Sequence, residues 1–83
     1  MRFRSFDSLR VFSVVARCLS VTDAARELSL SKASVSYQIR KLEDQLGFGL
    51  FERQRQRIHL TSKGEALLNS TQLYLGQLDR DIR

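Results

Sequence analysis

A mainly α fold is what three features of these 83 residues predict. Two short apolar-faced helices, over about Thr22–Leu28 and Ser31–Leu46, are separated by little more than Ser29-Leu30. Past them, Leu50-Phe51-Glu52-Arg53 and Arg57-Ile58-His59-Leu60 are strand-like runs joined by an arginine-rich tip. The remainder carries Leu68, Thr71, Leu75, Leu78 and Ile82 at spacings of 3 and 4, a heptad-like seam. Helices joined so tightly cross steeply, the arrangement that lays a second helix in the DNA major groove. The hairpin after them reads as a wing. The predicted architecture is a winged helix-turn-helix, three helices plus a two-stranded β-wing, followed by a long dimerisation helix. Residues 1–61 form the first part and 62–83 the second.

The first helix is expected from Phe6 to Cys18, with Ser5 or Asp7 as N-cap and Leu9, Phe12, Val15, Ala16 and Leu19 facing the core. Val11 and Val14 lie off that stripe, which leaves a second contact or a wide core face open for them. Thr22 is the expected N-cap of the second helix, with Asp23 in its first turn to complement the dipole. Its inward positions are Val21, Ala24, Ala25 and Leu28, and the small alanines permit close crossing. Ser31 caps the third helix, about 31–46, and Gly47 suits the left-handed residue that ends it. Val35, Ile39, Leu42 and Leu46 cluster on its apolar side. In the wing, about 50–60, Leu50, Phe51, Ile58 and Leu60 point inward while Arg57 and His59 alternate outward. Ser62 and Glu65 have capping-box spacing at the start of the last helix.

Composition fits a polyanionic partner. The net charge is +5, and between Arg53 and Lys63 the charged residues are Arg53, Arg55, Arg57 and Lys63, with no acid. One cysteine, Cys18, and one histidine, His59, provide neither a disulfide framework nor a metal set. They lie on different elements, and no Gly-rich phosphate loop or paired carboxylate accompanies them, so catalysis is not expected. No apolar run approaches the roughly 18 residues a membrane span needs. A cytoplasmic protein with no membrane partner is the expectation.

The run Leu9-x-x-Phe12-x-x-Val15-Ala16, then Ser20-Val21-Thr22-x-Ala24-Ala25-x-x-Leu28, resembles the LysR-type transcriptional regulators. Ser31-x-x-x-Val35-Ser36-x-Gln38-Ile39-x-x-Leu42-Glu43-x-x-Leu46-Gly47 continues the likeness. Leu50-Phe51-Glu52-Arg53 and Leu60-Thr61-x-x-Gly64-Glu65 complete it, with spacing intact over nearly the whole chain. The resemblance implies a DNA-binding transcription regulator that dimerises through a linker helix. It also implies a separate downstream domain that binds a small-molecule effector, so this stretch reads as the DNA-binding region of a longer protein. That longer protein could form tetramers and meet RNA polymerase. Two positions depart from the family pattern: Lys32 stands where glutamine is usual, and Gln56 where arginine or glycine is usual. Both bear on base preference rather than on fold.

At 100° per residue, Ala33, Ser34, Tyr37, Arg40 and Lys41 fall opposite the apolar side of the third helix, with Lys32 and Ser36 on a flank. Lys32, Ala33, Ser36 and Tyr37 are the base-edge candidates: lysine donates to guanine O6 or N7, and alanine packs on a thymine methyl. Thr22, Ser31, Ser34, Arg40, Lys41, Arg53, Arg55 and Arg57 are the phosphate or minor-groove candidates. One wing arginine, Arg53, could instead pair with Glu52 or Glu43 and brace the hairpin. Leu68, Thr71, Leu75, Leu78 and Ile82 are the dimerisation candidates, and a homodimer would read an interrupted inverted repeat. The competing class is a winged-helix module for protein or RNA contact. It calls for an acidic or aromatic outer face, whereas Lys32, Arg40, Lys41 and the wing are basic.

Overall fold

The computed structural model describes residues 3–55 and 57–71, with side chains from Ser8 onward. Three helices, α1 (Phe3–Cys18), α2 (Val21–Leu28) and α3 (Lys32–Leu46), precede a hairpin of β1 (Phe51–Gln54) and β2 (Arg57–Leu60). A further helix, α4, is described over residues 62–71. The winged helix-turn-helix predicted from the sequence is therefore present. Leu75, Leu78 and Ile82, the far part of the seam, lie outside the described residues, as does Gln56.

Helix α1 starts earlier than predicted, and Ser5 and Asp7 sit inside it rather than capping it. No glycine or proline between Arg2 and Cys18 breaks the run, so the helix continues through the cap candidates Ser5 and Asp7. The core gathers Val11, Phe12, Val15 and Ala16 of α1, Ala24 and Ala25 of α2, and Val35, Ile39 and Leu42 of α3 around Leu50. Phe12 is fully buried and stacks obliquely on Phe51, their ring centroids 5.5 Å apart. Burial of a side chain that size stabilises the fold by about 1.5–3 kcal/mol. Val11 belongs to this core and Val14 packs against it, which makes the apolar face of α1 wide and accounts for both within one chain. Ser8 is also buried, with its hydroxyl donating to Gln38 Oε1 at 2.7 Å, a polar tie between α1 and α3.

Leu19 is not a core residue. It takes the left-handed conformation (φ 51°) just past α1, its N–H bonds back to Val15 O, and its side chain is 47% exposed. The reversal that starts α2 turns it out of the core. Ser20, not Thr22, caps α2: its backbone is extended and its Oγ accepts from Asp23 N–H at 3.1 Å. Thr22 falls in the first turn because Val21, already helical, packs against the core. Helix α2 ends at Ser29 (φ 58°), where Ser29 N–H reaches Arg26 O and Leu30 N–H reaches Ala25 O, a Schellman arrangement built without glycine. Ser31 caps α3 and Gly47 (φ 83°) ends it, both as predicted. Leu46, the last apolar position of α3, is exposed at the helix end rather than packed.

Thr61, not Ser62, caps α4. Its Oγ1 accepts from Gly64 N–H at 2.9 Å, and its carbonyl accepts from Glu65 N–H. Thr61 wins because its N–H and hydroxyl are already committed to the chain before the wing, at Leu50 O (3.0 Å) and Gly49 O (2.8 Å). Gly64 lets α4 lie against that chain; a Cβ there would come within 2.3 Å of Leu50 O. Leu68 packs against the core and Thr71 is only 3% exposed, so these two seam positions are covered within a single chain.

Candidate nucleic-acid interface

The wing is a ladder pairing Phe51 with Leu60, Glu52 with His59, Arg53 with Ile58 and Gln54 with Arg57. Partners in an antiparallel pair share a face. Phe51, Leu60, Ile58 and Arg53 therefore share one side, and Glu52, His59, Gln54 and Arg57 the other. This register puts Arg53 on the domain-facing side, beyond the apolar anchor of the hairpin. It remains exposed there and has no ion-pair partner among the described residues. Glu43, suggested as its brace, is engaged otherwise: its carboxylate accepts from Leu50 and Phe51 N–H. Arg55 takes the left-handed conformation (φ 53°) and is exposed at the tip.

Between the wing and the helices lies a cleft of about 590 Å³. Its floor and walls include Ser20 and Thr22 from the start of α2, Lys32 and Ser36 from α3, and Arg53, Arg57 and His59 from the wing. No acidic side chain lines it. Lys32, Arg53 and Arg57 thus border the same cleft as the N-terminal turn of α2, where backbone N–H groups and the helix dipole favour an anion. A phosphodiester is the anion this arrangement suits. An adjoining cleft, lined by Arg40, Glu43, Glu52 and Arg53, carries mixed charge.

Helix α3 presents the remaining candidates. Lys32 and Ala33 are exposed in its first turn, Ser36 is half-buried on the flank toward the wing, and Tyr37 is 56% exposed. Arg40 is exposed on the outer side and Lys41 is half-buried. Ser31 and Ser34 are exposed but already bonded together: Ser31 Oγ accepts from Ser34 N–H and donates to Ser34 Oγ, each at 3.0 Å. Lys63, counted with the basic run, sits over the Phe48 ring 4.8 Å from its centroid, away from the cleft lining. The structure thus brings Thr22, Lys32, Ser36, Arg53 and Arg57 together, and sets Ala33, Tyr37 and Arg40 on the neighbouring outer face.

Sequence reasoning missed three residues of this region. Ser20 carried a legible signal, since Ser20 and Asp23 have the spacing of a cap. His59, expected only to alternate outward on the wing, lines the cleft. Glu43 stands in the family-like run and as a possible partner for arginine, but neither reading gives its bonds to backbone N–H groups further along the chain.

The family model for bacterial regulatory helix-turn-helix proteins of the lysR family matches residues 6–65. The chain is 44% identical over 78 residues to the RuBisCO operon transcriptional regulator of Allochromatium vinosum, covering 94% of this chain and 26% of that protein. It is 40% identical over 82 residues to the glycine cleavage system transcriptional activator of Escherichia coli K12, covering 99% of this chain and 27% of that protein. The chain thus spans about a quarter of the length of these curated relatives. Among solved structures, the BenM DBD/catB site 1 DNA complex superposes with a TM-score of 0.87 at 30% identity, over 92% of this chain and 85% of that one.

Proposed function

We propose, since this chain belongs to the lysR family of bacterial regulatory helix-turn-helix proteins and forms its DNA-binding domain, that it binds a specific double-stranded DNA site as a homodimer. In this reading α3 enters the major groove with Lys32, Ala33, Ser36 and Tyr37 toward base edges. Arg53, Arg55 and Arg57 follow the backbone or the adjacent minor groove, where the potential is most negative over A·T-rich sequence. Thr22 and Ser31 contact phosphates at the two helix starts. The observation that carries the reading is the acid-free cleft joining Lys32 of α3 to Arg53 and Arg57 of the wing.

A two-fold dimer presents two copies of α3 to successive major grooves, which calls for an interrupted inverted repeat. Leu75, Leu78 and Ile82 are the seam positions left for that contact, since Leu68 and Thr71 are covered within one chain. A downstream domain that binds a small-molecule effector, assembly into tetramers and contact with RNA polymerase belong to the longer protein in this reading. A bacterial regulator that acts on DNA works in the cytoplasm. Among the described residues, no helix is long and apolar enough to cross a membrane.

The test is a salt titration with duplex DNA. Each phosphate neutralised should contribute about −0.9 to the slope of log K against log salt. With the cleft cations engaged, the slope should be steep. An affinity for duplex DNA that hardly changes with salt would refute the reading.

A further inference from the structure

Glu43 lies near the end of α3, yet its carboxylate reaches the base of the wing. Oε2 accepts from Leu50 N–H at 2.8 Å and from Phe51 N–H at 3.4 Å. At 100° per residue, Glu43 falls on the flank of α3 that also carries Lys32 and Ser36. One face of a single rigid helix therefore holds a cleft cation near its start and a clamp on β1 near its end. A hairpin of two four-residue strands has little stability alone, so its anchors set where it lies relative to α3. Arg53 follows Phe51 by two residues on the same face, and the ladder carries any tilt of β1 across to Arg57.

We propose that Glu43 is a positioning residue for DNA binding: by bridging two N–H groups at the base of β1, it sets the spacing between Lys32 on α3 and Arg53 and Arg57 on the wing. It acts through hydrogen bonds of a particular reach, not through its charge, which lies beside Arg40 and Arg53 in the mixed-charge cleft. The proposal rests on the reading that the wing arginines contact DNA.

Three substitutions separate reach from charge. Glu43→Gln keeps an acceptor oxygen at the same reach and drops the charge. Glu43→Asp keeps the charge and falls one methylene short. Glu43→Ala loses both. Each is titrated with a random-sequence duplex across a salt series, beside a chain carrying Arg53→Ala and Arg57→Ala, with circular dichroism to verify folding. Glu43→Asp and Glu43→Ala should bind roughly tenfold more weakly, with a slope shallower by about 1–2 as wing contacts at about 0.9 each are lost. Glu43→Gln should bind at least as tightly as the parent. In the Glu43→Ala background, removing both arginines should cost little more, because contacts already lost cannot be lost twice.

If Glu43→Ala does not fold, the Asp and Gln variants decide the matter. Asp behaving as the parent while Gln weakens binding would mean that charge is what counts, and would overturn the proposal. A lower melting temperature with unchanged affinity and slope in Glu43→Ala would overturn it too, leaving Glu43 a purely structural role. An unchanged slope in the double arginine variant would refute the wing reading itself, and the proposal with it.

Discussion

Gly64→Ala is a sharp test of how α4 is joined to the wing. In an exposed helix the exchange stabilises by roughly 1 kcal/mol, because alanine loses less backbone entropy. Here the new methyl would stand 2.3 Å from Leu50 O, 3.0 Å from Leu60 Cδ2 and 3.2 Å from Leu50 C. Ordinary Cβ contacts begin near 3.4 Å, so the peptide at Leu50 or the start of α4 must retreat by about 1 Å. Leu50 is fully buried, its carbonyl accepts from Thr61 N–H, and its N–H donates to Glu43, so neither side yields freely. Overpacking with a backbone shift costs about 1–3 kcal/mol and here lies toward the upper end. Offset by the helix gain, the net loss should be about 1–2 kcal/mol, which lowers the melting temperature by roughly 4–15 °C in a domain this small. Urea unfolding followed by circular dichroism measures it. Gly47→Ala is the control: nothing lies within 4 Å of its Cβ, and only the left-handed conformation (φ 83°) is penalised, at about 1 kcal/mol. A Gly64→Ala chain as stable as its parent, or more so, would refute the close packing of α4 on the Gly49-Leu50 segment.

Ser20→Ala should cost about 1 kcal/mol of stability through loss of the α2 cap, whereas Thr22→Ala should cost far less; urea midpoints compare them. Lys32→Ala and Tyr37→Ala should relax discrimination between sites, since a base-edge contact carries roughly 1–3 kcal/mol of it, while Arg53→Ala should weaken all sequences evenly. Competition between cognate and scrambled duplexes reads that difference, and an equal loss on both for Lys32→Ala would remove it from the base-reading set. Leu75→Asp with Leu78→Asp would place charge in an apolar dimer seam, so the double variant should sediment as a monomer with its helical spectrum retained. A parent chain that is itself monomeric well above its DNA dissociation constant would refute dimerisation through that seam.

The element order was legible because each element is written in a local period. The 3.6-residue spacing of Val35, Ile39 and Leu42 and the alternation of Arg57-Ile58-His59-Leu60 need no distant partner to be read. Ser31 and Gly47 were legible as helix ends for the same reason: a cap acts over three or four residues. The basic character of the site was also plain in composition.

The misplaced caps of α2 and α4 share one cause. Ser20 and Thr22 can both cap a helix, and so can Thr61 and Ser62. Local chemistry does not choose between neighbours with the same hydroxyl. Packing of Val21 on the core chose Ser20, and the bonds from Thr61 to Gly49 and Leu50 chose Thr61. Leu19 had the right spacing for the core, yet the left-handed turn that starts α2 rotated it outward.

The sequence by itself determined the order of helices and hairpin up to the start of α4, which residues are basic and which family they belong to, since these follow from side-chain type and short-range spacing. The tertiary structure alone decided that Lys32, Arg53 and Arg57 line one acid-free cleft, and that Glu43 spends its carboxylate on the wing rather than on an arginine. Both depend on the crossing of α3 with the hairpin. That crossing is set by a core drawn from every segment at once, with Leu50 among Val15, Val35 and Leu42, and no stretch of chain encodes it locally.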